Sequence, residues 1–142
     1  MRKRRTARVL LFEPGGKVLL IRFVIRRERG EEFVFWAAPG GEIEPGETES
    51  AAAAERELHE ELGLNLTVTG PIFTQKNQFF HQGEMQDNTD FYFRAECSID
   101  APKLIGLTAE EIAVMREIRW WSRDEVRCTT ELVFPECLAD YF

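Results

Sequence analysis

Gly40 to Leu64 reads GGEIEPGETESAAAAERELHEELGL, and how its two halves join decides the fold. The first half carries a glycine pair and a second turn at Pro45-Gly46, the composition of a backbone that bends closely around something. The second half reads as a helix. Ala51 to Ala54, Leu58 and Leu62 favour that state, Thr48 or Ser50 can serve as N-cap, and Gly63 stands where a C-terminal glycine ends it. Glu57, Glu60 and Glu61 fall at i, i+3 and i+4, which puts three carboxylates on one helix face. Like charges so spaced repel by about 0.2–0.5 kcal/mol per pair unless a cation compensates, and a divalent metal is the natural one. For an arbitrary glutamate-rich helix the plainer reading is a solvated face.

The glycine loop and Arg56 make the constellation more specific, and it resembles the Nudix box, the signature of the Nudix hydrolases. That signature runs glycine, five residues, glutamate, seven residues, then R-E-U-x-E-E-x-G-U, with U a bulky aliphatic residue. Gly41 and Glu47 match its opening, and Arg56 to Leu64, RELHEELGL, matches its close in full. One departure stands out: eight residues, Thr48 to Glu55, separate Glu47 from Arg56. An added helical residue would rotate the pairing of Glu47 with Arg56 by about 100°. A longer loop or a bulge at the helix start would absorb it.

A chain of 142 residues, 44% hydrophobic, fits one domain, 1–142, with a real core. Apolar runs such as Val18 to Ile21 and Phe23 to Ile25 are interrupted by Arg22, too short to span a membrane. The basic start, Met1 to Arg5, precedes a strand-like segment without a small-residue cleavage site, so a cytoplasmic location is the default expectation and residues 1–5 read as a flexible tail. Cys97, Cys128 and Cys137 are scattered and form no C-x-x-C pair, so they read as buried reduced thiols and any metal should be oxygen-bound. A net charge of -7 speaks against a nucleic-acid coat. Ten of the 18 basic residues precede Gly30 while eight of the 25 acids lie from Glu42 to Glu61, so a basic start and an acidic box could together hold a metal and a phosphate chain.

Along the chain, strands are expected over Thr6 to Phe12, Lys17 to Ile25, Phe33 to Ala38, Leu66 to Thr69, Ile72 to Phe80, Thr89 to Cys97 and Glu117 to Ser122. Residues 81–88, HQGEMQDN, have turn composition; helices are expected over Leu107 to Met115, from Ser122, and from Pro135. Strands joined by hairpins around one central helix make a mixed α/β sandwich. The resemblance implies the same, a mixed sheet between helices, and the W-W-S at Trp120 to Ser122 extends it towards the C-terminus.

The resemblance implies hydrolysis of a nucleoside diphosphate linked to another moiety X, giving a nucleoside monophosphate and phosphorylated X. Glu57, Glu60 and Glu61 would hold magnesium, with manganese as an alternative, and the carbonyl of Gly40 or Gly41 would add a ligand. Arg56 would be mainly a brace. The proton acceptor would be Glu57 or, on a later segment, Glu111, with Glu84, Asp87 and Glu110 as weaker choices. Alternation along β-strand-like Val18 to Arg26 puts Arg22 and Arg26 on one face as candidates for substrate phosphates. Phe33, Phe35, Trp36, Phe79 and Phe80 are candidates for stacking on a base. The expected partner is a small-molecule nucleotide, not a membrane, and a homodimer is left open. A nucleotide-binding module with the same fold and no turnover is the competing class.

Overall fold

The computed structural model describes residues 2–26, 29–47, 49–81, 83–98 and 115–142. Strands β1 (Arg2–Phe12), β2 (Val18–Arg26), β3 (Glu32–Ala37) and β4 (Gly40–Glu42) precede helix α1 (Ser50–Leu62). The long hairpin of β5 (Thr69–His81) and β6 (Glu84–Glu96) follows. β7 (Met115–Trp121), α2 (Arg123–Cys128), the short β8 (Val133–Phe134) and a 3-10 turn, Leu138–Tyr141, complete the order.

The strands form one mixed sheet in the order β5-β6-β1-β2-β3-β8, with β4 added to β1 and β7 to β2. β1 runs parallel to β6 along its whole length, whereas β2 meets β1 only at Phe12 and Val18. The rest of that edge is open to β4, which pairs Thr6 with Glu42 and Arg8 with Gly40. A split of this kind lets the glycine loop enter between two parts of one sheet, and Val9 N–H donates to Pro39 O at 2.9 Å to hold it there.

Side chains alternate across β1 as strand geometry requires. Ala7, Val9 and Leu11 join Phe93, Leu58 and Leu62 in a core beneath α1, while Leu10 and Phe12 join Trp36, Tyr92, Trp121 and Leu138 in a second core under the C-terminal segments. The sheet therefore lies between α1 on one face and α2 with the terminal turn on the other, the expected α/β sandwich. α1 presents Ala53, Ala54, Leu58 and Leu62 inward and ends at Gly63, whose φ of 70° suits glycine. α2 starts with a complete capping box: Ser122 Oγ accepts from Glu125 N–H, and Glu125 accepts from Ser122 N–H.

Several expectations are corrected. Arg2 to Arg5 are not a free tail but the start of β1, because β6 offers a parallel partner from Gln86 onward. Residues 84–88 likewise belong to β6 rather than a turn, since a tighter connection at Gly83, φ 77°, suffices to reverse the chain. Leu66 to Val68 are not strand. β4 and β8 are short enough to leave no alternation, and both escape sequence reading. The helix cap is Glu49, extended at φ -119° and ψ 127°, not Ser50; Thr48 lies outside the described residues. Of the three free cysteines only Cys97 is buried, and Cys128 is exposed on the short α2, none of whose residues is buried. The helix expected over Leu107 to Met115 lies outside the described residues except Met115, which opens β7. Among the described residues no helix is long and apolar enough to cross a membrane.

Candidate active site

The site is built where the Gly40–Gly41 turn meets α1. Gly40 has φ 152°, and a Cβ there would lie 2.2 Å from Ala7 O, so the backbone itself forbids a side chain. At Gly41 the obstruction is different. A Cβ would lie 2.5 Å from Glu57 Oε1, which means that the Glu57 carboxylate occupies the space a side chain would fill.

Arg56 organises the acids around this turn. Its Nε donates to Glu47 Oε2 at 3.1 Å and its Nη2 to Glu47 Oε1 at 3.0 Å, a forked pair. Nη2 also donates to the Glu42 carbonyl at 3.1 Å, and Glu44 N–H donates to Glu47 Oε1 at 2.8 Å. The loop is thus tied to the helix by one guanidinium and one carboxylate. The extra residue of the box does not break this pairing, which forms with α1 beginning at Ser50, three positions after Glu47.

The remaining face of Arg56 meets the box carboxylates, with Nη1 donating to Glu57 Oε1 at 3.1 Å and to Glu60 Oε2 at 3.0 Å. Glu44 stands 3.5 Å from the same nitrogen. The bond to Glu47 and the nearby charges of Glu57 and Glu60 strengthen the hold of Arg56 on its proton, and the same bond keeps the Glu47 carboxyl below its ordinary range. Glu61 is placed apart, only 2% exposed at the edge of the core under α1. The three glutamates therefore run from core edge to solvent along one side of the helix rather than forming an equally exposed face. Among the described residues no three acidic, histidine or cysteine side chains are so arranged, as they stand around Arg56 or elsewhere, that they would hold a metal ion.

A cleft of about 330 Å³ opens over these groups, lined by Arg56, Glu57 and Glu60 with Arg2, Glu42 and Glu44. Arg2 and Glu42 were not singled out from sequence. Arg2 Nη2 donates to Glu42 Oε1 at 2.6 Å, and Arg4 Nε lies 3.6 Å from Glu42 Oε2. The signals were the basic run at the chain start and the acid next to Gly41, two features whose strand pairing sequence does not display.

Other candidates lie elsewhere. Trp36, 3% exposed, packs edge-on against Trp121 with ring centres 5.2 Å apart, so it is core. Phe80, 69% exposed, stands near the tip of the β5-β6 hairpin. Arg22 faces Glu117 at 3.8 Å across β2 and β7, and Arg26 is exposed at the end of β2; neither lines the cleft. Glu84 is at the hairpin tip, and Glu110 and Glu111 lie outside the described residues. Phe33 and Phe35 instead join Phe23 in a half-buried aromatic surface, with Phe23 and Phe35 stacked at 5.2 Å, on the strand that leads into Pro39 and Gly40.

A mixed sheet split around a glycine turn, with an arginine bracing acids on the following helix, defines the class of α/β domain to which the site belongs. The family model for the NUDIX domain matches residues 2–139, and the chain belongs to that family, which hydrolyses nucleoside diphosphates linked to a further moiety. It is a pyrophosphohydrolase of Nudix type. The fold is shared with the MutT protein of Methanosarcina mazei Go1, at 19% identity, 99% of this chain, 90% of that one and a TM-score of 0.69. A Nudix-family hydrolase from Clostridium perfringens is similar at 19% identity over 99% and 94% of the two chains, TM-score 0.68. So is the NUDIX domain of Shewanella oneidensis NrtR, solved with ADP ribose, at 19% identity over 97% and 84%, TM-score 0.62. No curated protein sequence matches the chain.

Proposed function

We propose that the chain hydrolyses a diphosphate linkage between a nucleoside and X at the cleft over Glu57 and Glu60, releasing a nucleoside monophosphate and phosphorylated X. The observation that carries this reading is the meeting of both carboxylates at one cationic atom, Arg56 Nη1, beside a glycine whose absent side chain leaves room for Glu57. Carboxylates that share a guanidinium nitrogen can share a divalent cation. Glu61 and a carbonyl of Gly40 or Gly41 would complete an all-oxygen donor set of the kind hard cations take. We assign magnesium, with manganese as a substitute. When bound, the metal neutralises charge on the diphosphate and lowers the pKa of the attacking water.

The chain's own groups have distinct tasks. Arg56, fixed by Glu47, holds the loop against α1 and keeps Glu57 and Glu60 turned towards the cleft. Glu57, whose side chain is only 12% exposed, is our first choice to accept the proton from water, and Glu111 is the alternative on the later segment. The aromatic surface of Phe23, Phe33 and Phe35 offers a nucleobase a stacking partner. The ligand of the NrtR domain makes ADP ribose a reasonable first substrate. A panel of ADP ribose, nucleotide sugars, dinucleoside polyphosphates and oxidised nucleoside triphosphates, incubated with magnesium and resolved by chromatography, tests the reading. Nucleoside monophosphate from at least one compound is expected; binding without release from any would favour a nucleotide-binding module.

A further inference from the structure

Beside the carboxylate cleft lies a larger one, about 580 Å³, that the reaction above does not use. The two share Arg2, Glu42, Ile43, Glu44 and Pro45 as a common wall. Beyond that wall the larger cleft reaches Lys3, Arg5, Lys76, Asp87 and Thr89.

Strand register builds this extension. Lys76 on β5 is opposite Thr89 on β6, and Thr89 is opposite Arg5 on β1, so a row across three neighbouring strands carries a cation at each end. Two residues along β1, Lys3 stands opposite Asp87. Period-two alternation puts Lys3 and Arg5 on the same side of β1 as Ala7 and Val9, the side of α1 and of the box carboxylates. Two strand spacings separate the backbones of Lys76 and Arg5 by about 10 Å, a distance that their long side chains can close around an anion.

Charge accounting distinguishes the residues. Arg2 and Arg4 face Glu42, while Glu44 and Glu47 face Arg56. Lys3, Arg5 and Lys76 are exposed and make no ion pair among the described residues, and Asp87 is the one lining acid without a paired arginine among them. A groove with uncompensated cations, opening off the cleft assigned to metal and diphosphate, suits an anion longer than the linkage that is cut.

We propose that Lys3, Arg5 and Lys76 form a subsite for phosphates beyond the scissile linkage, so that the favoured substrates carry three or more consecutive phosphates. This rests on the hydrolase reading above. Diadenosine polyphosphates with two to five phosphates differ only in chain length and make a matched series. For the parent protein, kcat/KM with magnesium is expected to rise about tenfold from two phosphates to four, the scale of two exposed charges acting on one anion. The double variant Arg5→Ala, Lys76→Ala should lose that rise and keep its rate on the two-phosphate compound. Inorganic tripolyphosphate, titrated calorimetrically into the metal-free protein, should bind about tenfold more weakly to the same variant.

Equal losses at every chain length, no loss at any, or tripolyphosphate binding that ignores both substitutions would overturn the subsite. If no nucleotide is turned over but tripolyphosphate binding still depends on Arg5 and Lys76, the subsite stands and the hydrolase reading falls. Turnover with a flat length profile and charge-independent binding has the reverse meaning. The single variant Lys76→Gln repeats both measurements should the double variant not fold.

Discussion

At the scale of single residues, the contact between Arg56 and Glu47 joins loop to helix, and it should be visible in stability. Lysine at position 56 keeps the charge but loses the fork, so Arg56→Lys is expected to cost about 2 kcal/mol, lowering the melting temperature by roughly 4–8 °C. The pH dependence has a definite sign. Because the bond to Arg56 lowers the folded pKa of Glu47 below its ordinary 4.5, the stabilisation is present above that value and is lost as pH falls through the folded pKa. Melting temperatures of the parent and Glu47→Gln should therefore differ at neutral pH and converge under acid conditions. The two glycines of the turn separate stability from chemistry. A methyl at Gly41 meets only the movable end of Glu57, so Gly41→Ala should fold nearly as well as the parent while turnover falls about 10–100-fold. Gly40→Ala meets the Ala7 and Arg8 backbone and should lose about 2 kcal/mol or more, read by urea denaturation. The box residues were legible because the i, i+3, i+4 spacing carries its own geometry. The placement of Arg2 and Glu42 was not, because their contact spans 40 positions and depends on a strand register.

At the scale of elements, α1 starts without the local chemistry that usually fixes a helix end. The helix begins at Ser50 with Glu49 in cap geometry but no side-chain bond to the first-turn amides, so the first turn is poorly capped. Glu49→Asp places a shorter carboxylate where it can accept from those amides, and is expected to raise stability by about 1 kcal/mol, a rise of roughly 2–4 °C in melting temperature. Deleting Ser50 should leave the fork between Arg56 and Glu47 in place, checked by whether the acid sensitivity of melting survives. The C-terminus of the same helix was readable from Gly63 alone, and the start of α2 from Ser122 and Glu125, because capping is local chemistry. β1 was underestimated. Arginine and lysine at its start look like a solvated tail until β6 supplies an eleven-residue partner, and parallel pairing leaves no turn signal in sequence.

At the scale of the whole molecule, the fold class followed from strand periodicity around one central helix, while the split of the sheet did not. β1 gives one edge to β6 and divides the other between β2 and β4, and this division brings the glycine turn, the basic start and α1 to one cleft. The aromatic candidates part company for the same reason. Hydrophobicity marks Trp36 and Phe35 alike, but neighbours on the same strand point to opposite faces, and only the assembled sheet shows that one is core and the other part of a half-buried surface. The central claim is that Glu57, Glu60 and Glu61 act together through a divalent cation. Its most direct test is the rate of nucleoside monophosphate release from the best panel substrate against magnesium concentration, for the parent and for Glu57→Gln, Glu60→Gln and Glu61→Gln. Each folded variant is expected to lose more than about 100-fold, beyond what a change outside the metal's own ligands costs, and to require more magnesium. Three folded variants that release monophosphate at the parent's rate and magnesium dependence would contradict the claim.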